Sequence, residues 1–196
     1  MVGVPIGIDA GPYIANLTLW YYENKFLDST YKSKYFIVKK LNYTYRLIDD
    51  ITSLNSDGYF EQYFKEIYPD SLTLNKENID DSNANVLDLN ISIINGKFCS
   101  QVYDKRDNFN FGIVQYQPLA SNQASSVAYG VFNSQIVRYS RICSDLTSFS
   151  GRVDRIFKDF IKLGFKRARL YKLYHRIILK HELYVKFGEE CRTVLH

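Results

Sequence analysis

Two adjacent aspartates, Asp49 and Asp50, are the residues whose type and position most directly suggest chemistry. They follow a β-rich run over residues 43–48 and precede an apolar stretch that begins at Ile51, which predicts a strand–turn–strand unit with both carboxylates at its tip. One interpretation is an ordinary surface turn. The other is a cation site, because Mg²⁺ binds carboxylate oxygens and substrate phosphates, and two such ions about 3.5–4 Å apart can catalyse phosphoryl transfer.

A second candidate site is a row of cations in the last quarter of the chain. Residues 152–196 hold 12 Lys and Arg against 5 Asp and Glu, a net charge of +7, whereas residues 1–151 hold 13 against 16. A solvated surface is the commoner meaning of such a bias, and a polyanion partner is the functional one. Five of the cations recur every three or four residues, on one side of a predicted helix, and form what we call the basic stripe: Lys166, Arg169, Lys172, Arg176 and Lys180.

The composition is that of a globular protein. With 46% hydrophobic and 23% charged residues, the 196-residue chain can bury a core, which excludes disorder as its main state. Its three cysteines are far apart in sequence, which excludes paired-cysteine zinc sites and favours a reducing compartment. No signal peptide and no membrane span are predicted, so we expect an intracellular protein, nuclear or cytoplasmic.

The elements around the two aspartates are predicted as follows. The first twelve residues are rich in Gly and Pro and lead into a helix whose first position suits Pro12. Residues 35–39 and 43–48 predict two strands, and the polar segment over residues 75–85 predicts a loop. Asp57 is placed to cap a short helix. That helix has four apolar residues at one-face spacing: Phe60, Tyr63, Phe64 and Ile67.

Residues 87–103 predict a β-hairpin whose turn is Asn95 and Gly96. We expect one face of this hairpin to join the core and the other to be free to meet a ligand. The predicted core face consists of Leu87, Leu89, Ile91, Ile93, Phe98 and Val102. The predicted ligand face consists of Asp88, Asn90, Ser92, Lys97, Gln101 and Tyr103.

The rest of the chain is predicted to be helical after a loop that reaches residue 123. Helices are expected over residues 126–143, 151–163 and 166–186, with Gly164 separating the last two. The fold class is therefore α+β, with antiparallel strands and helices followed by a helical region.

Two of these segments resemble known motifs. Gly-Val-Pro-Ile-Gly at residues 3–7, followed by Gly11 and Pro12, resembles the loop–helix motif B of reverse transcriptases. Tyr-Arg-Leu-Ile-Asp-Asp at residues 45–50 resembles their metal-binding motif C. The order and spacing of the two motifs agree with that family.

Later segments extend the resemblance over nearly the whole chain. The hairpin resembles the primer grip, and residues 103–111 and 138–143 are similar to the Penelope-like branch of mobile elements. The resemblance implies a polymerase core that combines an antiparallel palm sheet with a helical thumb. Within this core the chain would supply three parts. They are a partial palm with motifs B, C and D over residues 1–85, a primer-grip-like hairpin and connecting loop over 86–123, and a helical thumb-like region over 124–196.

The resemblance implies roles for individual residues. Asp49 and Asp50 would be catalytic and would bind Mg²⁺, with Asp49 the direct ligand. Lys76 would be the general acid that protonates pyrophosphate. Five residues would let the backbone approach the template base and the incoming nucleotide closely: Gly3, Pro5, Gly7, Gly11 and Pro12. Primer and duplex contacts would come from Lys97, Gln101, Tyr103, Arg138, Arg141 and the basic stripe.

The implied partners are an RNA template, a DNA primer duplex and deoxynucleotide triphosphates, with no membrane. The sequence also departs from the family: Leu47 stands at the aromatic position of motif C, and Ile8, Asp9 and Gly11 replace the usual residues of motif B. Motif A, which carries the third palm carboxylate, would precede motif B. We therefore expect an incomplete two-metal site, a missing amino-terminal fingers and palm half, and no polymerase activity of this chain alone.

Three functional hypotheses follow. The first is the carboxy-terminal palm and thumb of an RNA-directed DNA polymerase from a retroelement. The second is a non-catalytic nucleic-acid-binding remnant of that enzyme. The third is an interaction module unrelated to nucleic acid, in which the basic stripe is merely solvated.

Overall fold

The computed structural model describes residues 7–78 and 80–195, and these form two compact units, Met1–Lys76 and Glu77–His196. We call them the amino-terminal and carboxyl-terminal units. Both contain helices and antiparallel strands, which confirms the α+β class. The predicted segments 86–123 and 124–196 lie in the same unit. Within the described part of the chain, no helix is long and apolar enough to cross a membrane.

The amino-terminal unit consists of α1 (Gly11–Tyr31), α2 (Tyr35–Leu41), the hairpin of β1 (Thr44–Leu47) and β2 (Asp50–Ser53), and α3 (Tyr59–Ile67). Its core contains Phe26 of α1, Ile37 of α2 and the four residues of α3 predicted from their spacing. The buried face of α3 is thus confirmed, and Tyr68 extends it.

Two predictions for this unit are wrong. Residues 35–39 form helix α2 and not a strand, because Ile37 of this segment packs into the core between helices and the last turn carries Lys39 and Lys40, which suit a helix carboxyl end. Asp57 does not cap α3: its carboxylate forms an ion pair with Lys40, and the cap position is taken by Gly58 with φ +77°.

The carboxyl-terminal unit begins with the antiparallel sheet β3 (Asn83–Val86), β4 (Leu89–Ile94) and β5 (Lys97–Val102), in that order. The β4–β5 hairpin confirms the prediction, and its turn residues Asn95 and Gly96 have φ of +52° and +74°, as a two-residue turn of this kind requires. Strand β3 lies in the segment predicted as a loop. Its two asparagine side chains accept hydrogen bonds from Asn90 of β4, so polar residues hold this strand.

The predicted core face of the hairpin is only partly correct. Leu89 pairs with Val102, and Ile93 pairs with Phe98. Val102 is buried in the helical core, but Phe98 is 79% exposed and Ile93 is 44% exposed. The helices cover only the end of the hairpin that is remote from its turn, where Ser100 hydrogen-bonds to the backbone of Ile142.

Four helices complete this unit: α4 (Ser125–Ile142), α5 (Leu146–Lys162), α6 (Arg167–Lys180) and α7 (Leu183–Phe187). Short 3₁₀ helices lie at Lys105–Asn108 and Glu189–Thr193. Gly164, with φ +86°, separates α5 from α6 as predicted. The last predicted helix is interrupted after Lys180, because Glu182 adopts φ +48° and starts a new turn.

The four helices enclose one apolar core. Its fully buried members include Phe132 of α4, Phe149 and Phe160 of α5, and Tyr174 of α6. The Phe149 ring stacks on Phe187 of α7 with a centroid distance of 4.6 Å. This core fixes α6, and therefore the basic stripe, on the rest of the unit.

Candidate functional site

Asp49 and Asp50 lie at the tip of the β1–β2 hairpin, as predicted. Leu47 pairs with Asp50, so Ile48 and Asp49 form the turn and Asp50 begins β2. Both aspartates are exposed. Their carboxylates are therefore accessible to a cation or to a phosphate-bound metal ion.

Arg46 fastens this turn to helix α1. Its Nη1 donates to the backbone oxygen of Ile48 at 3.1 Å and to Asn16 Oδ1 of α1 at 2.7 Å. Ile48 has φ +58°, which is unusual for a β-branched residue. The hydrogen bond to its carbonyl group holds that strained residue beside the aspartates.

Arg46 is held in turn by Glu23 of α1, whose carboxylate also accepts a hydrogen bond from the hydroxyl group of Tyr68. Arg46 Nε donates to Glu23 Oε1 at 2.5 Å and its Nη2 donates to Oε2 at 3.2 Å, while the Tyr68 hydroxyl donates to Oε1 at 2.5 Å. Burial favours a higher pKa for Glu23, but the hydrogen bonds from Arg46 and Tyr68, together with the charge of Arg46, outweigh burial and lower the pKa. Burial and the Glu23 carboxylate raise the pKa of Tyr68.

The motif at residues 45–50 contains Arg46, but its role as a support for the turn was missed. The signal that could have indicated it is an arginine at an inward position of a short strand, between the exposed residues Tyr45 and Leu47. Such an arginine needs a carboxylate partner, and sequence alone does not show which acid is near.

The predicted nucleotide-binding backbone is only partly described. Gly3 and Pro5 lie outside the described residues. Gly7 is exposed with φ +94°, and Gly11 begins α1 and is buried, with Pro12 in the first turn. Arg46 also bonds to the backbone oxygen of Asn16 at 3.3 Å, so the first turns of α1 and the aspartate turn lie close together.

The predicted general acid, Lys76, contacts an acidic residue of helix α3. Lys76 Nζ lies 3.9 Å from a carboxylate oxygen of Glu61 on α3. Among residues 7–78 and 80–195, no group of three or more His, Cys, Asp or Glu side chains could hold a metal ion. Asp49 and Asp50 are the two carboxylates at this turn.

The predicted ligand face of the β4–β5 hairpin carries a row of amides. Gln101 Nε2 donates to Asn90 Oδ1 at 3.0 Å, and Asn90 Nδ2 donates to the side chains of β3. Lys97 is exposed at the start of β5. The Tyr103 hydroxyl accepts a hydrogen bond from Asn108 at 3.1 Å.

Of the two predicted arginines on α4, Arg138 forms an ion pair with Asp88, with Nε and Nη2 both donating to Oδ2 at 3.0 and 2.5 Å. Arg141 is exposed in the last turn of α4. Arg138 therefore links the hairpin to α4 while remaining 41% exposed.

All five residues of the basic stripe are exposed. Its first two members are fixed on α4: the Lys166 backbone N–H donates to the Tyr129 hydroxyl at 3.0 Å, and the Arg169 guanidinium lies 4.0 Å from the centre of the Tyr129 ring. The other three follow along the solvent side of α6. This arrangement provides a row of positive charge on a rigid helix.

Comparison with known proteins identifies no relative. No protein-family model, no curated protein and no solved structure matches this chain. The functional interpretation therefore depends on the motifs and on the geometry described above.

Proposed function

We propose that this chain is the palm and thumb part of an RNA-directed DNA polymerase, whose intact parent performs two-metal nucleotidyl transfer. The observation that carries the proposal is the exposed Asp49 and Asp50 pair at a tight hairpin turn, fastened to α1 by Arg46. Backbone strain of the kind seen at Ile48 is concentrated at functional sites. The turn thus has the accessible carboxylates and the rigid support that a catalytic metal site needs.

In this proposal Asp49 and Asp50 bind Mg²⁺ through their carboxylate oxygens, with Asp49 the direct ligand. Bound Mg²⁺ would neutralise charge on the phosphates of the incoming nucleotide. Two carboxylates are too few to hold two ions, and the described residues bring no third group to the turn. We therefore expect this chain alone to add no nucleotides.

Primer extension tests this proposal. The chain is extended at its amino terminus by the reading frame that precedes it, and DNA synthesis on an RNA template is measured with Mg²⁺. Asp49→Asn and Asp50→Asn should each abolish synthesis, whereas Asp70→Asn, which changes an exposed acid beyond α3, should leave it unchanged. An active double variant of Asp49 and Asp50 would refute the proposal.

A second candidate function, nucleic-acid binding without catalysis, is supported by the basic stripe. Its cations recur along one side of α6 at intervals that can follow a phosphate backbone, and the core holds the helix rigid. Each phosphate that is neutralised releases counterions, so log K falls with log salt by about 0.9 per phosphate contact on duplex DNA. Lys172 and Lys180 are suited to testing this function, because they lie away from the contacts between α6 and Tyr129.

Fluorescence anisotropy with an RNA/DNA duplex at several salt concentrations measures this binding. The Lys172→Glu/Lys180→Glu variant should bind at least tenfold more weakly and reduce the salt slope by about 2. The matched control is Lys158→Glu/Lys162→Glu, which makes the same charge change at exposed positions of α5. Equal binding by both variants and the wild type would favour the interaction-module hypothesis instead.

A further inference from the structure

Helix α2 and the residues on either side of it form a basic and aromatic segment of the amino-terminal unit. Residues 31–43 contain four lysines and no Asp or Glu. Four aromatic rings of the same segment are each more than half exposed: Tyr31, Tyr35, Phe36 and Tyr43. Lysines interleaved with exposed aromatic rings are typical of surfaces that bind a single nucleic-acid strand, because the lysines attract phosphates and the rings stack on bases.

A pocket of about 370 Å³ lies in this segment, between the carboxyl end of α2 and the loop that follows β2. Its volume is within the range of pockets that bind small molecules, so it has room for one base. We call it the α2 pocket. It is lined by two aromatic rings, two lysines and two amides: Phe36, Tyr43, Lys39, Lys40, Asn42 and Asn55.

Both rings of the α2 pocket can be reached from solvent. Phe36 is 58% exposed and Tyr43 is 53% exposed. The Phe36 ring packs edge-on against Tyr59 of α3, with a centroid distance of 5.9 Å, which fixes one side of the pocket. The backbone oxygen of Tyr43 accepts a hydrogen bond from the Leu54 N–H at 3.1 Å, which fixes the other side. A flat ligand can therefore stack on Tyr43 without displacing a buried side chain.

The two lysines of the pocket differ in their neutralisation. Lys40 forms an ion pair with Asp57 and lies over the Phe36 ring. Lys39 is exposed, so its charge is available to an anionic group. The two asparagines of the pocket are also exposed, and each amide carries both a donor and an acceptor, as the edges of bases do. A base and its phosphate match this combination, whereas a lipid surface would favour a continuous apolar face.

We propose that the α2 pocket binds one base of an unpaired nucleic-acid strand, with the base stacked on Tyr43 and a neighbouring phosphate bound by Lys39. The choice of nucleic acid rests on the proposed function of the chain, whereas the rings, the lysine and the volume belong to the pocket itself. None of the six lining residues belongs to the motifs that resemble reverse transcriptases or to the basic stripe. The pocket is therefore a contact to a single strand, separate from the duplex contacts proposed for α6.

Fluorescence anisotropy with two labelled strands of equal length and charge tests the proposal. One is a short strand of deoxyuridines, and the other has the same backbone without bases. The wild-type chain should bind the deoxyuridine strand at least about tenfold more tightly, because only that strand can stack. A uridine strand of the same length should bind within about threefold of the deoxyuridine strand, because Tyr43 and Lys39 contact the base and the phosphate and not the sugar.

Variants of the pocket separate stacking from charge. Tyr43→Ala should reduce the preference for bases to less than about twofold, whereas Tyr43→Phe, which keeps the ring, should retain it. The matched control is Tyr21→Ala, which removes a tyrosine ring of similar exposure from α1 and should also retain it. Lys39→Glu should weaken both strands at least about fivefold and leave the preference unchanged. Lys65→Glu, the same charge change at an exposed position of α3, should weaken neither by more than about twofold.

Equal affinity of the wild type for the strands with and without bases would overturn the proposal, as would an unchanged preference in Tyr43→Ala. In the second case, loss of binding to phosphatidylserine vesicles by Tyr43→Ala would assign the rings to a lipid surface. The Lys172→Glu/Lys180→Glu variant should keep the preference for bases. Duplex binding that depends on those two lysines, without any preference of the wild type for bases, would leave the proposed function standing and remove only the α2 pocket.

Discussion

Helix α1 of the amino-terminal unit and helix α5 of the carboxyl-terminal unit differ in the solvent exposure of their large apolar side chains. On α1, Tyr13, Leu17 and Trp20 are 77%, 66% and 54% exposed. On α5, five large side chains are buried: Phe149, Val153, Ile156, Phe157 and Phe160. The fold therefore covers much more of the apolar surface of α5 than of α1.

The carboxyl-terminal unit is stabilised mainly by burial of apolar surface within its helices. In the amino-terminal unit the core is a smaller aromatic cluster, and the Glu23, Arg46 and Tyr68 network adds polar contacts between α1, β1 and the end of α3. Apolar burial gains about 25 cal/mol per Å² without directional requirements, whereas a polar network stabilises only while every partner is present. Loss of one partner should therefore weaken the amino-terminal unit as a whole network, whereas the carboxyl-terminal unit should respond to the volume of apolar side chain removed.

The largest effect is expected for Phe149→Ala. This change leaves a cavity in a fully buried position against Phe187 and should lower the free energy of unfolding by about 3–5 kcal/mol. Urea denaturation followed by far-UV circular dichroism measures it. Phe98→Ala is the matched control, because that ring is 79% exposed on the hairpin. Equal unfolding midpoints for the two variants would contradict the assignment of the core.

A smaller effect is expected for Arg46→Met, which leaves the Glu23 carboxylate without its cation. Breaking a buried pair costs about 3–5 kcal/mol, and because this pair is only partly buried we expect about 2 kcal/mol. Trp20 is the single tryptophan and lies on α1, so its emission during urea unfolding reports on this unit. The control is Lys40→Met, which removes a more exposed pair with Asp57 and should cost less than about 1 kcal/mol.

The smallest effect is a pH dependence that originates from Glu23. Its pKa is lowered in the folded state, so its contribution is present above the ordinary value of 4.5 and is lost as the pH falls through the folded-state pKa. Unfolding midpoints from Trp20 emission should therefore decrease below pH 4.5 in the wild type. The decrease should be shallower in Glu23→Gln. Parallel pH profiles would show that Glu23 is not the group responsible.

Local patterns were sufficient to predict part of the fold. The spacing of Phe60, Tyr63, Phe64 and Ile67 determines α3, and the Asn95 and Gly96 turn determines the β4–β5 hairpin, because both signals act within a few residues. Helix α2 was missed because its β-branched and aromatic residues favour strands, while the packing of Ile37 that overrides them is not local. Strand β3 was missed because its segment is polar, which favours a loop, whereas hydrogen bonds from Asn90 to the two asparagine side chains of β3 connect it to β4.

In the candidate site, too, local sequence predicts one part, and contacts between residues far apart in the chain determine the other. The position of Asp49 and Asp50 at a turn follows from the neighbouring runs of sequence. The support by Arg46 does not, because its partners Glu23 and Asn16 are 23 and 30 residues away.

The three cysteines differ in burial, so a thiol reagent should not modify all three positions of the folded chain. Cys143 and Cys191 are fully buried, and burial raises the pKa of both thiols, so neither forms the reactive thiolate readily. Cys99 is half-buried on β5, opposite Ser92 and on the same side of the strand as Lys97 and Gln101. A maleimide fluorophore would therefore attach to Cys99 alone, and would place a reporter on the hairpin without any engineered mutation.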